Sequence, residues 1–185
     1  MKIYVDFDGV IMDTETHLFD DFEKLKKQGI VKDDMEYLKM FDWEKHLNRS
    51  DIIKNSIEIL NRVKLDVAIL GKVITLKEKE EKLKLLKDHN FNKPAIFIPF
   101  DCKKSEMVNA VGNILIDDTV HNLDDWEKES GIPIYFNKDD NLIDPWGNKN
   151  KKYTTIHSLE LLYKMEEKSL KNQNIWYNII REWKC

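Results

Sequence analysis

Short apolar runs alternate with amphipathic stretches along most of this chain. The runs show little internal alternation, which is typical of strands that are covered on both faces of a sheet. They predict strands at Ile3–Phe7, Leu65–Leu70, Ala95–Phe100, Asn113–Ile116 and Ile132–Phe136. Because helical patterns separate most of these runs, the order predicts a parallel sheet with right-handed crossover connections.

A capping signal marks the helix that follows the second strand. Thr75 with Glu78 three residues later forms a capping box, which predicts a helix over Thr75–Asn90. The expected apolar face of this helix consists of leucines, namely Leu76, Leu83 and Leu86. The Lys/Glu-rich stretch 77–87 is interpreted as a solvated helix face.

Further helices are predicted after the third, fourth and fifth strands. Ser105 is expected to cap a short helix, and Asn122 is expected to cap a helix over Leu123–Ser130. Two more helices are predicted near Ser158–Lys168 and Asn172–Trp183.

The segment 14–63 interrupts this rhythm, because it holds no strand candidate. Its pattern predicts helical segments at Glu15–Gln28, Asp34–Asn48 and Asp51–Val63. Roughly fifty residues are far more than one crossover needs. The predicted fold is therefore α/β, a Rossmann-like three-layer sandwich with a five-stranded parallel sheet. Residues 1–13 and 64–185 would form its core, and 14–63 would form an inserted small helical cap.

Composition narrows the class of protein without defining its chemistry. The chain has 185 residues and a formal net charge of -4, so nothing in its charge favours binding to a nucleic-acid polymer. No apolar run is long enough to span a membrane, and an acidic residue, Asp6, follows the first strand positions too early for a signal peptide. We expect a cytoplasmic protein, a monomer or a homodimer, with no membrane partner.

The informative residues are two pairs of aspartates at strand ends. Asp6 and Asp8 follow the first strand, and Asp117 and Asp118 follow the fourth. Ligands of open parallel sheets bind outside the carboxyl ends of the strands. If the fourth strand lies beside the first, four carboxylates meet at one edge.

Clustered carboxylates repel one another and therefore need a cation. Mg²⁺ prefers oxygen ligands and often joins one or two carboxylates to a phosphate. Aspartates are also common turn residues after strands, which would explain either pair alone. Because both pairs end buried strands, we favour a metal site.

These motifs resemble those of the haloacid dehalogenase-like (HAD) hydrolase superfamily. The segment Asp6-Phe7-Asp8-Gly9-Val10 is similar to the first motif of that superfamily, and Ile114-Leu115-Ile116-Asp117-Asp118 is similar to the fourth. The inserted cap and the motif spacing fit as well, so the resemblance covers most of the chain. The nearest likeness is to the small 5'(3')-deoxyribonucleotidase-like members with a helical cap.

The resemblance implies a role for each aspartate. Asp6 would be the nucleophile that forms an aspartyl-phosphate, and Asp8 would protonate the leaving oxygen and then activate water. Mg²⁺ would be held by Asp6, by the backbone carbonyl of Asp8 and by Asp118, with Asp117 in contact with it or just beyond. The third motif implies a lysine. Lys104 is the first choice and Lys103 the alternative.

One motif of the superfamily is missing. Its second motif is a Ser or Thr directly after the second strand, but this chain has Gly71-Lys72 there. The Gly71 amide and the charge of Lys72 could compensate, and Gly9 and Lys103 are also expected to contact the substrate. Losing a hydroxyl donor to a transition-state oxyanion lowers a rate by about 100-fold, so a weakened phosphatase is expected.

The function implied by the resemblance is Mg²⁺-dependent hydrolysis of a small phosphorylated metabolite, with a nucleoside monophosphate as one candidate. Two alternatives remain open. The first is a phosphatase of sugar phosphates or other small metabolites. The second is a catalytically weakened HAD-like binding protein, because Gly71 replaces the usual hydroxyl residue.

Overall fold

A computed structural model of the chain describes residues 1–16, 18–139, 147 and 152–171. The helix predicted near Asn172–Trp183 lies outside these residues. Within the described part of the chain, no helix is both long and apolar enough to cross a membrane.

The core is a parallel sheet with strand order β3-β2-β1-β4-β5-β6. Its strands are β1 (Ile3–Val5), β2 (Val67–Val73), β3 (Ala95–Pro99), β4 (Ile114–Asp117), β5 (Ile132–Phe136) and β6 (Thr155–Ile156). The α/β fold class is confirmed, as are the five predicted strands. The sixth strand is an addition: β6 is only two residues long, too short to leave an apolar run in the sequence.

The helices of the core follow the strands that they connect. They are α5 (Leu76–Asp88), α6 (Lys104–Met107), α7 (Val120–Lys128) and α8 (Leu161–Lys171). The Thr75 cap is confirmed, because its hydroxyl accepts a hydrogen bond from the Glu78 amide at 3.1 Å. Two predicted caps are wrong. Both Ser105 and Asn122 lie inside helices that begin earlier, after Lys103 and Thr119.

The inserted segment forms four α-helices among the described residues. These are α1 (Leu18–Lys27), α2 (Asp34–Met40), α3 (Trp43–Arg49) and α4 (Ser56–Arg62), with a 3-10 turn at Ile53–Asn55 before α4. The single helix predicted over Asp34–Asn48 is wrong, because it is broken after Met40. Asp42 caps a new helix there by accepting a hydrogen bond from the Lys45 amide at 3.0 Å.

Packing divides the inserted segment in two. The apolar side chains of α4, such as Ile57 and Leu60, join the main core beneath the sheet. In contrast, α1 and α2 pack with Trp43 into a separate small cluster that includes Tyr37 and Leu38. The assignment of 14–63 to a separate cap stays a prediction. Within this segment, α4 packs as a helix of the core.

Candidate active site

The site lies where β1 and β4 end side by side. Val5 pairs with Ile116 in the parallel ladder between these strands, so the residues that follow emerge together at the carboxyl edge of the sheet. Carboxylate oxygens of Asp6, Asp117 and Asp118 lie within 4.8 Å of one another, and all three residues are buried. The predicted meeting of the two aspartate pairs therefore holds for three of their four side chains.

Lys104 joins two of these carboxylates. Its Nζ lies 2.7 Å from Asp6 Oδ1 and 2.6 Å from Asp117 Oδ2, and its side chain is 1% exposed. Burial alone would lower the pKa of Lys104, but the Asp117 and Asp6 carboxylates raise it above its ordinary value. The structure thus brings Lys104 to the carboxylates. Lys103 lies outside them with a 52% exposed side chain.

Asp117 has a hydrogen-bond partner for each oxygen besides Lys104. The Thr119 amide donates to its Oδ1 at 2.9 Å. The Asn122 side-chain amide donates to Oδ1 and Oδ2 at 3.1 and 3.2 Å. Asn122 therefore orients a site carboxylate from the first turn of α7, a role that differs from the predicted cap.

Asp118 has weaker partners than Asp117. Its Oδ1 accepts a hydrogen bond from the Thr119 hydroxyl at 3.3 Å, and the Glu15 carboxyl contacts it from the inserted segment. Gly9 passes so close that a Cβ at that position would lie 1.9 Å from Asp118 Oδ2. Gly9 also has a φ of +67°, a conformation that favours glycine. A larger residue at position 9 would displace the Asp118 carboxylate.

Burial raises the affinity of these carboxyls for protons. It raises the pKa of Asp6 to about 7; Lys104 opposes the rise, and Asp117 and Asp8 add to it. It raises the pKa of Asp118 well above its ordinary value, with Glu15 as the next cause. The pKa of Glu15 rises to about 8 for the same reason, with Asp8 as the second cause. The site therefore carries more acidic groups than its lysine can balance.

The Asp8 carboxylate contacts a different lysine. Its Oδ2 lies 2.5 Å from Lys82 Nζ, and its Oδ1 accepts a hydrogen bond from the Thr14 hydroxyl at 3.0 Å. Lys82 also lies 2.6 Å from Glu78 Oε1, one turn earlier on α5. The fourth aspartate is thus held by a second lysine, which belongs to a helix rather than to a strand end.

This contact corrects the prediction for α5. The stretch 77–87 is not simply a solvated face, because Glu78, Glu81 and Lys82 are buried. The predicted apolar face is wrong in part: Leu86 is buried, but Leu76 is 78% exposed and Leu83 is 40% exposed. The helix is rotated so that a charged row faces the site.

A cleft of about 540 Å³ opens over Asp6, Asp8 and Asp118. Lys72 and Lys103 line it, together with apolar side chains from both the core and the inserted segment, which are Leu18, Leu38, Trp43, Ile74 and Phe100. Burial, and next the positive charge of Lys104, lower the pKa of Lys72.

Gly71 lies within β2, because that strand continues to Val73 rather than ending at Leu70. A Cβ at Gly71 would lie 2.9 Å from the Phe97 ring and 3.1 Å from Phe7 Cβ. A Gly71→Thr replacement therefore has no room to restore the missing hydroxyl. The next residue, Lys72, is the one that lines the cleft.

Comparison with solved structures identifies the fold. The putative HAD-hydrolase YfnB from Bacillus subtilis, solved with magnesium, aligns with a TM-score of 0.55 and 14% identity over 90% of this chain and 98% of that one. A family IA HAD hydrolase from Entamoeba histolytica aligns with a TM-score of 0.57 and 12% identity over 90% and 99%. A D,D-heptose 1,7-bisphosphate phosphatase from B. bronchiseptica, complexed with magnesium and phosphate, gives 0.51 and 12% over 92% and 99%.

These likenesses show that the chain has the HAD-like hydrolase fold. No family model matches the chain, and no curated protein matches its sequence.

Sequence reasoning missed several residues that the structure brings to the site. They are Thr14, Glu15, Glu78, Lys82 and Asn122. One signal was present in the sequence: Glu78, Lys82 and Leu86 recur every four residues, which places both charges on the side of a buried leucine. For Thr14 and Glu15 no comparable signal exists, because only the turn after β1 brings them back over the strand ends.

Proposed function

We propose that the chain is a Mg²⁺-dependent phosphomonoester hydrolase that transfers the phosphoryl group to Asp6. The position of Asp6 carries this proposal. One oxygen of its carboxylate is fixed by Lys104 at 2.7 Å and by the Phe7 amide at 2.8 Å. Among the described residues no hydrogen bond or ion pair occupies the other oxygen, and Asp6 lines the cleft. A fixed carboxylate with one free oxygen suits a nucleophile.

The residues present fit a divalent cation. Three buried carboxylates within 4.8 Å share one lysine, so negative charge remains uncompensated. Because Asp117 is already bonded through both oxygens, Asp6 and Asp118 are the side chains that would hold Mg²⁺, with the Asp8 backbone carbonyl as the expected third ligand. When bound, the cation would neutralise the attacking carboxylate and the phosphate, which otherwise repel each other.

Two lysines supply positive charge to the proposed reaction. Lys104 holds Asp6 in place and offsets charge on the phosphoryl oxygens. Lys72 lines the cleft, and no carboxylate of the described residues lies within ion-pair distance of it. We assign to Lys72 the binding of the phosphate in place of the missing hydroxyl. Asp8 would exchange protons with the leaving oxygen and with water.

The proposed substrate is a small phosphorylated metabolite. A cleft of about 540 Å³ accommodates a molecule of nucleotide size, and its apolar wall suits a ring. We therefore keep a nucleoside monophosphate as the finer proposal and a sugar phosphate as its alternative. The heptose bisphosphate phosphatase of the same fold was solved with magnesium and phosphate, which supports testing both ligands here.

The test is a phosphomonoester panel assayed with Mg²⁺ on wild type and on Asp6→Asn. We expect turnover to fall by about 1,000-fold or more in Asp6→Asn and to vanish with a chelator. Asp66→Asn is the matched control, because Asp66 is an exposed carboxylate at the opposite end of β2 and its ion-pair partner is Lys2. It should keep wild-type turnover. Equal rates for wild type and Asp6→Asn would reject the hydrolase.

The panel also separates the alternatives. Preference for nucleoside monophosphates over sugar phosphates supports the finer proposal, and the reverse preference supports the other phosphatase. Saturable binding of a phosphate ester, with equal background rates for wild type and Asp6→Asn, would instead support the weakened binding protein.

A further inference from the structure

Lys82 carries a fully buried ammonium group that has no role in the reaction proposed for this site. Its side chain is 0% exposed, although it lies on a helix with many exposed lysines and glutamates. Its Nζ lies between the Asp8 and Glu78 carboxylates at 2.5 and 2.6 Å, and it also donates to the Lys72 carbonyl at 3.3 Å. A charge this deep is stable only because it is paired.

The surroundings of Lys82 fix it from the remaining sides. Its Nζ lies 5.2 Å from the centre of the Phe7 ring, 5.3 Å from Trp43 and 6.0 Å from Phe97. Glu78 is itself anchored, because its Oε2 accepts a hydrogen bond from the Ile74 amide at 2.8 Å. The ammonium therefore has one well-defined position, and that position faces Asp8.

Asp8 is held at both oxygens as a result. Lys82 contacts Oδ2, and the Thr14 hydroxyl donates to Oδ1. Each carboxylate oxygen has two lone pairs, so both can still accept a second hydrogen bond. Asp8 lines the same cleft as Asp6, with its side chain 30% exposed. The arrangement leaves the carboxylate accessible but fixes its direction.

We propose that Lys82 is a positioning residue that holds the Asp8 carboxylate in the direction needed for proton exchange at the phosphoryl centre. This inference rests on the proposed hydrolase function. In the hydrolysis half of that reaction, Asp8 takes a proton from the water whose oxygen bonds to phosphorus. The bond between phosphorus and Asp6 breaks, and phosphate leaves with the Asp6 carboxylate restored. A misdirected Asp8 slows this step without weakening substrate binding.

The test compares Lys82→Met, Glu78→Gln/Lys82→Met and Asp8→Asn with wild type. We expect Lys82→Met to lower kcat by about 10–100-fold while KM stays within about 3-fold. The double variant keeps the net charge of wild type and the acceptor for the Ile74 amide, so it is the fallback where Lys82→Met folds poorly. It should show the same loss of kcat. Lys87→Met, an exposed lysine on the same helix, is the control and should match wild type.

A double-mutant cycle separates positioning from a general structural role. Adding Lys82→Met to Asp8→Asn should lower kcat no further, because Lys82 acts through Asp8. A further loss that multiplies with that of Asp8→Asn would overturn the inference, as would wild-type kcat in the folded Lys82 variants. Either result leaves the hydrolase proposal intact if Asp6→Asn is inactive. If wild type and Asp6→Asn react equally slowly, both proposals fail.

Discussion

Two buried lysines organise the site, and their surroundings differ. Lys104 lies between Asp6 and Asp117 at 2.7 and 2.6 Å. Lys82 lies between Asp8 and Glu78 at 2.5 and 2.6 Å. Both side chains are 1% exposed or less. The first group continues into Asp118 and Glu15, whereas aromatic rings enclose the second.

This difference indicates what each group can do. Around Lys104 the acidic groups Asp6, Asp117, Asp118 and Glu15 outnumber the lysine, and we call these residues the surplus group. A cation would relieve this imbalance of charge. The Lys82 ammonium is enclosed by Asp8, Glu78 and aromatic rings, and its side chain is 0% exposed, so we expect it to act through its carboxylate partners rather than by binding a ligand directly. The same kind of ion pair thus serves a binding role at one place and an orienting role at the other.

Removing each lysine is the strongest test of the difference between the two groups. Lys104→Met and Lys82→Met should each lower the free energy of unfolding by about 3–5 kcal/mol, because each leaves buried carboxylates without a balancing positive charge. Urea unfolding followed by circular dichroism measures the change. A loss well below 1 kcal/mol for either variant would show that its ammonium is hydrated in solution.

The two groups should respond differently to a compensating change. Glu78→Gln/Lys82→Met removes one charge of each sign from the enclosed group and should recover most of the lost stability, because the remaining Asp8 carboxylate is 30% exposed and keeps the Thr14 hydroxyl. Asp117→Asn/Lys104→Met should recover less, because Asp6 and Asp118 still repel each other. Equal recovery in both pairs would contradict the distinction between the enclosed Lys82 group and the surplus group around Lys104.

The surplus group also predicts how stability depends on pH. In the folded protein the pKa of Asp6 is raised to about 7, and that of Asp118 is raised as well, chiefly by burial. A carboxyl group whose pKa is raised by folding favours the folded state fully at pH values below its unfolded pKa, near 4. This stabilisation is lost as the pH rises through its pKa in the folded protein. The pKa of Asp13 is lowered, so the stability that Asp13 contributes is lost only as the pH falls below about 4.

The metal-free protein should therefore melt at lower temperatures as pH rises from 5 to 8. Mg²⁺ at about 100 times its dissociation constant should raise the melting temperature at pH 8 by about 5–10 °C, equivalent to ~2.7 kcal/mol. Asp118→Asn should reduce this gain. A melting temperature that rises steadily between pH 5 and pH 8 without metal would contradict the prediction that the site holds more carboxylates than its lysine balances.

The Lys104 group was largely predictable from the sequence, because it follows strand ends. Each of the buried strands before Asp6 and Asp117 forms a clear apolar run, and the order of strands in a parallel sheet brings their ends together. Lys104 was predicted from the resemblance to the third motif of the superfamily, since β2 separates β3 from β1 in the sheet. Position relative to a strand was sufficient for the aspartates, and the resemblance supplied the lysine.

The Lys82 group was not predicted, because a charged helix row resembles a solvated face. Which side of α5 is buried depends on how the helix packs against β2 and α3, and the leucine pattern indicated a different side. The end of the second strand was also misplaced, since β2 runs on to Val73 rather than ending at Leu70. Tertiary packing decided both points, and it leaves little trace in a local pattern.

Glu15 offers a smaller test of the surplus group. Burial raises its pKa to about 8, so Glu15→Gln should match wild type near pH 4.5 and become progressively more stable up to about pH 8. The gain should be largest at pH 8 without metal and is measured as a rise in melting temperature. Glu80→Gln, at an exposed position on α5, is the control. A constant difference across this pH range would show that Glu15 ionises normally.

The smallest expected effect concerns the cap of the helix that carries Lys82. Thr75→Ala removes the hydroxyl that accepts the Glu78 amide hydrogen bond and should lower stability by about 1 kcal/mol, whereas Thr75→Ser should not. We expect kcat to stay within about 2-fold, because Glu78 remains anchored through the Ile74 amide and continues to hold Lys82. Urea unfolding and turnover with Mg²⁺ measure the two quantities. A fall in kcat comparable to that of Lys82→Met would mean that the helix end, rather than the Glu78–Lys82 contact, sets the direction of Asp8.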